Sequence, residues 1–246
     1  MSLPKHPLIV IPARLAATRL PNKPLAQIAG QPMIVHVWRA GLRAGLGPVL
    51  VAAAEPEIVR AVEAAGGRAV LTDPELPSGS DRVYAALQQV DPEGRHDAVI
   101  NLQGDVPAID PAALQSAFAL LADPAVDIGT LAAEVGDPAL ASDPGSVKAV
   151  IALAEGARRG RGLYFSRNPV PWGEGPLYHH FGIYAYRRTE LARFVGLAQG
   201  GLGRREKLEQ LRALENGMRI DVALVDSLPL EVNTPADLER VRATFR

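Results

Sequence analysis

The sequence predicts an α/β fold: a parallel sheet covered by helices on both faces, with an inserted or appended β-rich lobe. Two observations predict it. In the first half, short apolar runs alternate with longer stretches of helical periodicity, the pattern of strands joined by crossover helices. Past about residue 130 the texture changes to β-branched and aromatic runs separated by turn-rich text such as "NPVPWGEGP".

Taken in order, Leu8–Ile11 reads as the first strand, Met33–Ala44 as a helix, Val49–Ala53 as a strand, and Pro56–Ala65 as a helix ended by Gly66-Gly67. Ala69–Leu71 then reads as a strand, Gly79–Val90 as a helix, Ala98–Leu102 as a strand and Pro111–Leu121 as a helix. In the second half Ile128–Glu134, Val147–Leu153 and Phe181–Tyr186 read as strands, and Arg188–Leu197 and Arg204–Asn216 as helices. Arg219–Val225 reads as a strand, and Pro235–Phe245 as a terminal helix with Thr234 as its N-cap. The expected division is a core over roughly residues 1–130 and 205–246 and a smaller lobe over roughly 131–204. No internal repeat interrupts it.

Composition narrows the chemistry. A chain of 246 residues that is 48% hydrophobic can bury a substantial core. With 26 basic against 27 acidic residues, no global field steers it to nucleic acid or a membrane surface, so any anion site must be local. The absence of cysteine excludes disulfides, thiolate metal sites and a cysteine nucleophile. The N-terminal apolar run is too short for a signal peptide, and no segment approaches the ~18 apolar residues of a membrane span; a soluble, cytoplasmic protein is expected.

Against that balance the loop after the first strand stands out. "PARLAATRLPNKPL" carries Arg14, Arg19 and Lys23 with no acidic residue. In open parallel sheets ligands bind beyond the carboxyl ends of strands, where this loop lies. It has neither P-loop nor dinucleotide-fingerprint spacing. Its three cations could grip a triphosphate, the arginines as planar forks and the lysine as a point charge, or could form a solvated basic loop. A second strand end, "AVINLQGDVP", puts Asp105 at the same sheet edge. That carboxylate could face bound phosphates and hold Mg²⁺, or could cap the following turn.

Those two stretches, with "PMIVHV", "SGSDR", "YFSR", "HHFGIYAYR", "EKLEQLR" and "NTPADLERVR", occur in the order and approximate spacing of one family. The sequence resembles the CMP-KDO synthetases (3-deoxy-manno-octulosonate cytidylyltransferases) along nearly its whole length. The resemblance implies a doubly wound, mostly parallel nucleotidyltransferase sheet of Rossmann-like type, with a smaller β-rich lobe for the sugar acid and for dimerisation. It implies transfer of CMP from CTP to the anomeric hydroxyl of KDO, with Mg²⁺ as cofactor, in lipopolysaccharide biosynthesis by a homodimer. By the same resemblance Arg14, Arg19 and Lys23 hold the phosphates, and Ser78, Gly79, Arg82 and Gln103 line the nucleotide site. Gln103, Arg167, His180, Tyr184, Glu209 and Gln210 match positions that contact KDO, and Asp105 and Asn233 match the metal ligands. On the residues alone, His180 and Tyr184 could be core side chains of one strand, and Glu209 could pair with Arg205 or Arg212.

The sequence departs from the family at several points. Asn22 replaces a glycine, and asparagine tolerates left-handed backbone. Ala52-Ala53-Ala54 replaces "ATD", which leaves backbone groups to read the base there. Val106 replaces an acidic residue, and Asn233 replaces the aspartate of "VDTPEDLERVR", which removes charge from the metal site. Gly200-Gly-Leu-Gly203 replaces "PSPLE", and the glycines are expected to loosen the approach to Glu209. These changes fit three outcomes: the KDO enzyme, a cytidylyltransferase for 8-amino-KDO or a nonulosonate, or a CTP-binding protein with weak or no turnover.

Overall fold

The computed structural model describes residues 3–16, 19–226 and 229–245. The chain is an α/β protein that packs into two compact units, Lys5–Gln115 with Pro229–Arg246, and Met1–Pro4 with Ser116–Leu228.

In the first unit the order is β1 (Pro7–Ala13), a two-strand hairpin of β2 (Gln27–Ile28) and β3 (Gln31–Pro32), α1 (Met33–Arg43), β4 (Val49–Ala53), α2 (Pro56–Ala64) and β5 (Arg68–Leu71). It continues with α3 (Gly79–Val90), β6 (Ala98–Asn101) and α4 (Pro111–Ala119). Strands β5, β4, β1 and β6 lie side by side in that order, all parallel. The uninterrupted apolar text of β1, β4 and β6 is what a parallel sheet buried on both faces requires. Leu8 to Ile11, Val49 to Ala53 and Ala98 to Ile100 are all buried. Val10 stands opposite Asn101, and the Leu102 amide donates to the Val10 carbonyl at 3.0 Å. The chain therefore leaves β1 and β6 at adjacent points on the same edge.

The second unit comprises β7 (Ile128–Glu134), α5 (Pro138–Ser142), β8 (Lys148–Ala152), β9 (Arg159–Ser166), β10 (Tyr178–Arg187), α6 (Arg188–Gly196), α7 (Gly201–Glu206), α8 (Leu211–Glu215) and β11 (Ile220–Leu224). Its strands run β10-β7-β11-β9-β8, with β8 also meeting β10 where His179 pairs Lys148. The β7–β11 pair is parallel and the rest are antiparallel, so this sheet is mixed. The last helix, α9 (Pro235–Thr244), returns to the first unit. Thr234 and Asp237 form a capping box at its start, and Leu238 and Val241 pack with Ile28, Met33 and Val232.

Three differences from the sequence expectation have physical causes. The stretch read as one helix over Arg204–Asn216 is two short helices, broken where Lys207 takes a left-handed conformation at φ 55°. Nor do the glycines before it loosen the chain. The Glu215 carboxylate accepts from the amides of Leu202 at 2.9 Å and Gly203 at 3.1 Å, tying the first turn of α7 to α8. A Cβ at Gly200 would fall 2.2 Å from that carboxylate, so the glycine makes room for the anchor. Strand β9 was hidden in the sequence because two arginines and two glycines break its apolar pattern. Its Gly160 lies where a Cβ would meet the Ala152 carbonyl at 2.1 Å.

Gly200→Ala is expected to lower unfolding free energy by about 1–3 kcal/mol, because it displaces a carboxylate that satisfies two helix-start amides. Urea denaturation checks this, and a variant as stable as the parent would contradict the anchoring role.

Candidate active site

Within the first unit, the loop after β1 is fixed at its base by Glu55, whose carboxylate accepts the Leu15 amide at 2.9 Å. Further on, the Asn22 amide reaches back to the Leu15 carbonyl at 3.3 Å, and Asn22 adopts the left-handed conformation expected of it, φ 57°. These ties leave Arg14 and Arg19 exposed, while Lys23 is half-buried and bonds Asp105. The Lys23 ammonium lies 2.8 Å from Asp105 Oδ2. Residues 17 and 18 of the loop lie outside the described part.

The loop borders a cavity of about 410 Å³. Arg14, Arg19, Lys23, Ser78, Gly79, Arg82, Gln103, Asp105 and Asn233 all line it, which gathers every residue singled out for nucleotide or metal. Ser78 is the N-cap of α3: its hydroxyl accepts the Asp81 amide at 3.2 Å and donates to the Asp81 carboxylate at 2.5 Å. The positive end of a twelve-residue helix thus opens onto the cavity. Arg82 is buried, and burial holds its pKa below the ordinary arginine value. Its guanidinium braces the preceding loop, donating to Thr72 Oγ1 at 2.6 Å and to the carbonyls of Asp73 and Pro74. Gln103 donates to Asn101 Oδ1 at 3.3 Å.

The backbone groups at Ala53 and Ala54 have internal partners. The Ala53 carbonyl accepts from both the amide and the hydroxyl of Thr72, and the Ala54 amide donates to the Ala13 carbonyl at 2.9 Å. Val106 is buried, where an acidic side chain would be desolvated.

The Val232 amide donates to the Asp105 carbonyl at 2.9 Å. Asn233 follows, with its Oδ1 accepting from Arg19 at 3.3 Å and its Nδ2 donating to Glu231 at 3.1 Å. Burial, reinforced by the Asp105 charge, pushes the Glu231 carboxyl up to about 7. Neither Glu55 nor Glu231 was singled out in the sequence. Each acts through a contact distant in sequence or through a neighbour's amide, and neither sits in a recognisable motif.

The second unit holds Arg167, His180, Tyr184, Glu209 and Gln210. Arg167 is held by carbonyls: Nε donates to Glu206 and one Nη to Pro144, each at 2.8 Å, and the other Nη to Lys207 at 3.3 Å. The Glu206 carboxylate accepts the Arg167 amide and the Ser166 hydroxyl, both at 2.9 Å. His180 is buried beside Phe165 and Tyr184, and its Nε2 lies 3.0 Å from Thr130 Oγ1. That hydroxyl has one proton and directs it to the Phe181 or Ile183 carbonyl, so His180 is the donor and its proton sits on Nε2. Burial, and the neighbouring His179, lower the His180 pKa to about 3. Burial and then the Glu209 charge raise Tyr184 well above its ordinary value, so it stays a phenol. Gln210 is buried and Glu209 half-buried.

Comparison with known proteins bears on this arrangement. The cytidylyltransferase family model matches residues 8–220. The chain belongs to the cytidylyltransferase family. Among curated members it is 61% identical to the 3-deoxy-manno-octulosonate cytidylyltransferase of Paramagnetospirillum magneticum, over 98% of each chain. It is 64% identical to the protein of that name from Rhodospirillum centenum, over 98% of this chain and 93% of the relative. A solved CMP:2-keto-3-deoxy-manno-octonic acid synthetase complexed with CTP superposes with a TM-score of 0.88 at 38% identity, over 97% of this chain and 98% of the other. A nucleotidyl transferase from Methanothermobacter, at 19% identity and a TM-score of 0.58, shares the fold.

For a cytidylyltransferase, the cavity's oxygen donors matter. Among the described residues no group of three or more His, Asp or Glu side chains could hold a metal ion by itself. Asp105 and the Asn233 amide are hard oxygen donors of the kind a magnesium-sized cation takes, and the ammonium already seated on Asp105 shows that this carboxylate accepts a cation. No helix among the described residues is long and apolar enough to cross a membrane.

His180 ties stability to pH. Its folded pKa, about 3, lies below the ordinary 6.5, so the stability it contributes is complete above pH 6.5 and is lost as pH falls toward 3. Between pH 4 and 6 the parent is expected to lose about 1.4 kcal/mol per pH unit more than His180→Gln. Denaturation at stepped pH reads the two slopes, and parallel curves would contradict a neutral buried histidine.

Proposed function

We propose that the protein transfers the CMP unit of CTP to the anomeric hydroxyl of KDO, giving CMP-KDO and pyrophosphate for lipopolysaccharide assembly. The observation that carries this reading is one cavity that gathers Arg14, Arg19 and Lys23 with Asp105, in a chain so similar over its length to 3-deoxy-manno-octulosonate cytidylyltransferases. The anomeric oxygen attacks the α-phosphorus, its proton passes to water, and the bond from that phosphorus to the bridging oxygen breaks. Negative charge gathers on the departing pyrophosphate.

What this chain supplies is chiefly positioning and charge neutralisation. Arg14 and Arg19, exposed on a loop pinned by Glu55, give planar donors to the β- and γ-phosphates. Lys23 exchanges its bond to Asp105 for one to phosphate. The amide end of α3, at Ser78 and Gly79, adds fixed donors that need no reorganisation. Arg82 holds the Thr72–Pro74 backbone in shape around the base. Asp105 and the Asn233 carbonyl oxygen would hold Mg²⁺, which neutralises phosphate charge and acidifies the attacking hydroxyl when bound. Gln103 serves both the nucleotide and the sugar acid, and Arg167, His180, Tyr184, Glu209 and Gln210 receive the acid.

In this reading the parallel sheet is one half of a doubly wound nucleotidyltransferase core, and the β-rich part serves the sugar acid and a homodimer. The protein works in the cytoplasm, where CTP is available.

Purified protein with CTP, Mg²⁺ and KDO is expected to release pyrophosphate, with none when either substrate is omitted. Arg19→Ala and Lys23→Ala are each expected to lower kcat/KM about 100-fold or more. Silence with KDO but turnover with 8-amino-KDO or a nonulosonate would overturn the choice of acceptor. CTP binding without turnover on any acid would overturn the enzyme itself.

A further inference from the structure

We propose that Glu231 is a positioning residue: it holds the Asn233 amide so that the carbonyl oxygen, and not the NH₂ group, faces the cavity. This rests on reading the cavity as the site for CTP and its cation. Asn233 sits between Glu231, 3.1 Å from its Nδ2, and Arg19, 3.3 Å from its Oδ1. The Arg19 guanidinium only donates and an ionised Glu231 only accepts, so one orientation of the amide satisfies both. The flipped orientation sets NH₂ against a guanidinium and carbonyl against a carboxylate.

The backbone keeps the two side chains together. Val232 is fully buried and its amide is bonded to the Asp105 carbonyl at 2.9 Å. The Asn233 amide donates to Asp237 Oδ2 at 3.0 Å, at the start of the capping box. The bond from Nδ2 to Glu231 sets that carboxylate against the amide. Asn233 lines the cavity and Glu231 does not, so Glu231 works through the amide. An asparagine at this position can lend an oxygen to a cation only in the orientation that Glu231 enforces. An aspartate would need no such help, since its two oxygens are equivalent.

The test is a set of six proteins: the parent, Glu231→Ala and Glu231→Gln, each with Asn233 and with Asn233→Asp. Mn²⁺ affinity in the presence of CTP, read by electron paramagnetic resonance, is compared with kcat, KM and melting temperature. With Asn233, Glu231→Ala is expected to weaken Mn²⁺ about tenfold or more, the usual effect of losing a residue that orients a ligand. Glu231→Gln, whose carbonyl still accepts from Nδ2, is expected to stay within about threefold. With Asn233→Asp, Glu231→Ala is expected to cause no loss. The inference is overturned if Glu231→Gln falls as far as Glu231→Ala, which would assign the effect to charge. It is overturned equally if Glu231→Ala binds like the parent, or if it loses the same factor in both backgrounds. A parent that binds neither CTP nor Mn²⁺ overturns the functional reading and this inference together, whereas a parent that binds and turns over while all variants match it overturns this inference alone.

Discussion

The half-buried ion pair between Lys23 and Asp105 is the contact around which the site is organised. Its partners are 82 residues apart in sequence, and only the parallel pairing of β1 with β6 brings the ends of those strands to one edge. With side chains 19% and 24% exposed, the pair is neither free in water nor sealed from it. An ion pair of that kind contributes about 1 kcal/mol or less, while charge-assisted bonds to a polyphosphate contribute about 1.5–3 kcal/mol each. The pair is therefore strong enough to arrange the cavity and weak enough to be exchanged for a triphosphate and its cation. Asp105 offsets one of the loop's three cations, so net positive charge remains there for a ligand.

Around that contact the chain uses backbone anchors where precision is needed and leaves cationic side chains exposed where ligand is expected. Glu55 fixes the foot of the loop and Asn22 its return, yet Arg14 and Arg19 remain exposed. Arg82 turns its donors to neighbouring carbonyls and shapes the wall. In the second unit the balance is different: Thr130 fixes the tautomer of His180, and carbonyls hold the guanidinium of Arg167. There the polar side chains are arranged in advance, at the expense of burying titratable groups in their neutral forms.

Much of this was legible in the sequence because the signals were local. The apolar run at β4 and the Ser78-capped helix α3 lie over the same residues that periodicity indicated, Val49–Ala53 and Gly79–Val90. The terminal helix opens at Thr234 as its capping pattern predicts. The cations of the first loop and Asp105 were identifiable because a balanced chain concentrates charge there. Other features were hidden because their causes are tertiary. β9 lost its alternation to glycines demanded by close strand packing, and the Glu215 anchor reaches amides twelve and thirteen residues back in the chain. Asn233 looked like a plain loss of charge, and only its hydrogen-bond partners, Glu231 and Arg19, reveal how the amide is set.

The most direct test of this account is a crystal structure of the protein with CTP and Mn²⁺, using anomalous scattering to locate the metal. The account predicts phosphates against Arg14, Arg19 and Lys23, the Lys23–Asp105 bond opened, and the manganese peak at Asp105 with the Asn233 oxygen beside it. Phosphates bound elsewhere, or a metal seated while Lys23 keeps its bond to Asp105, would contradict it.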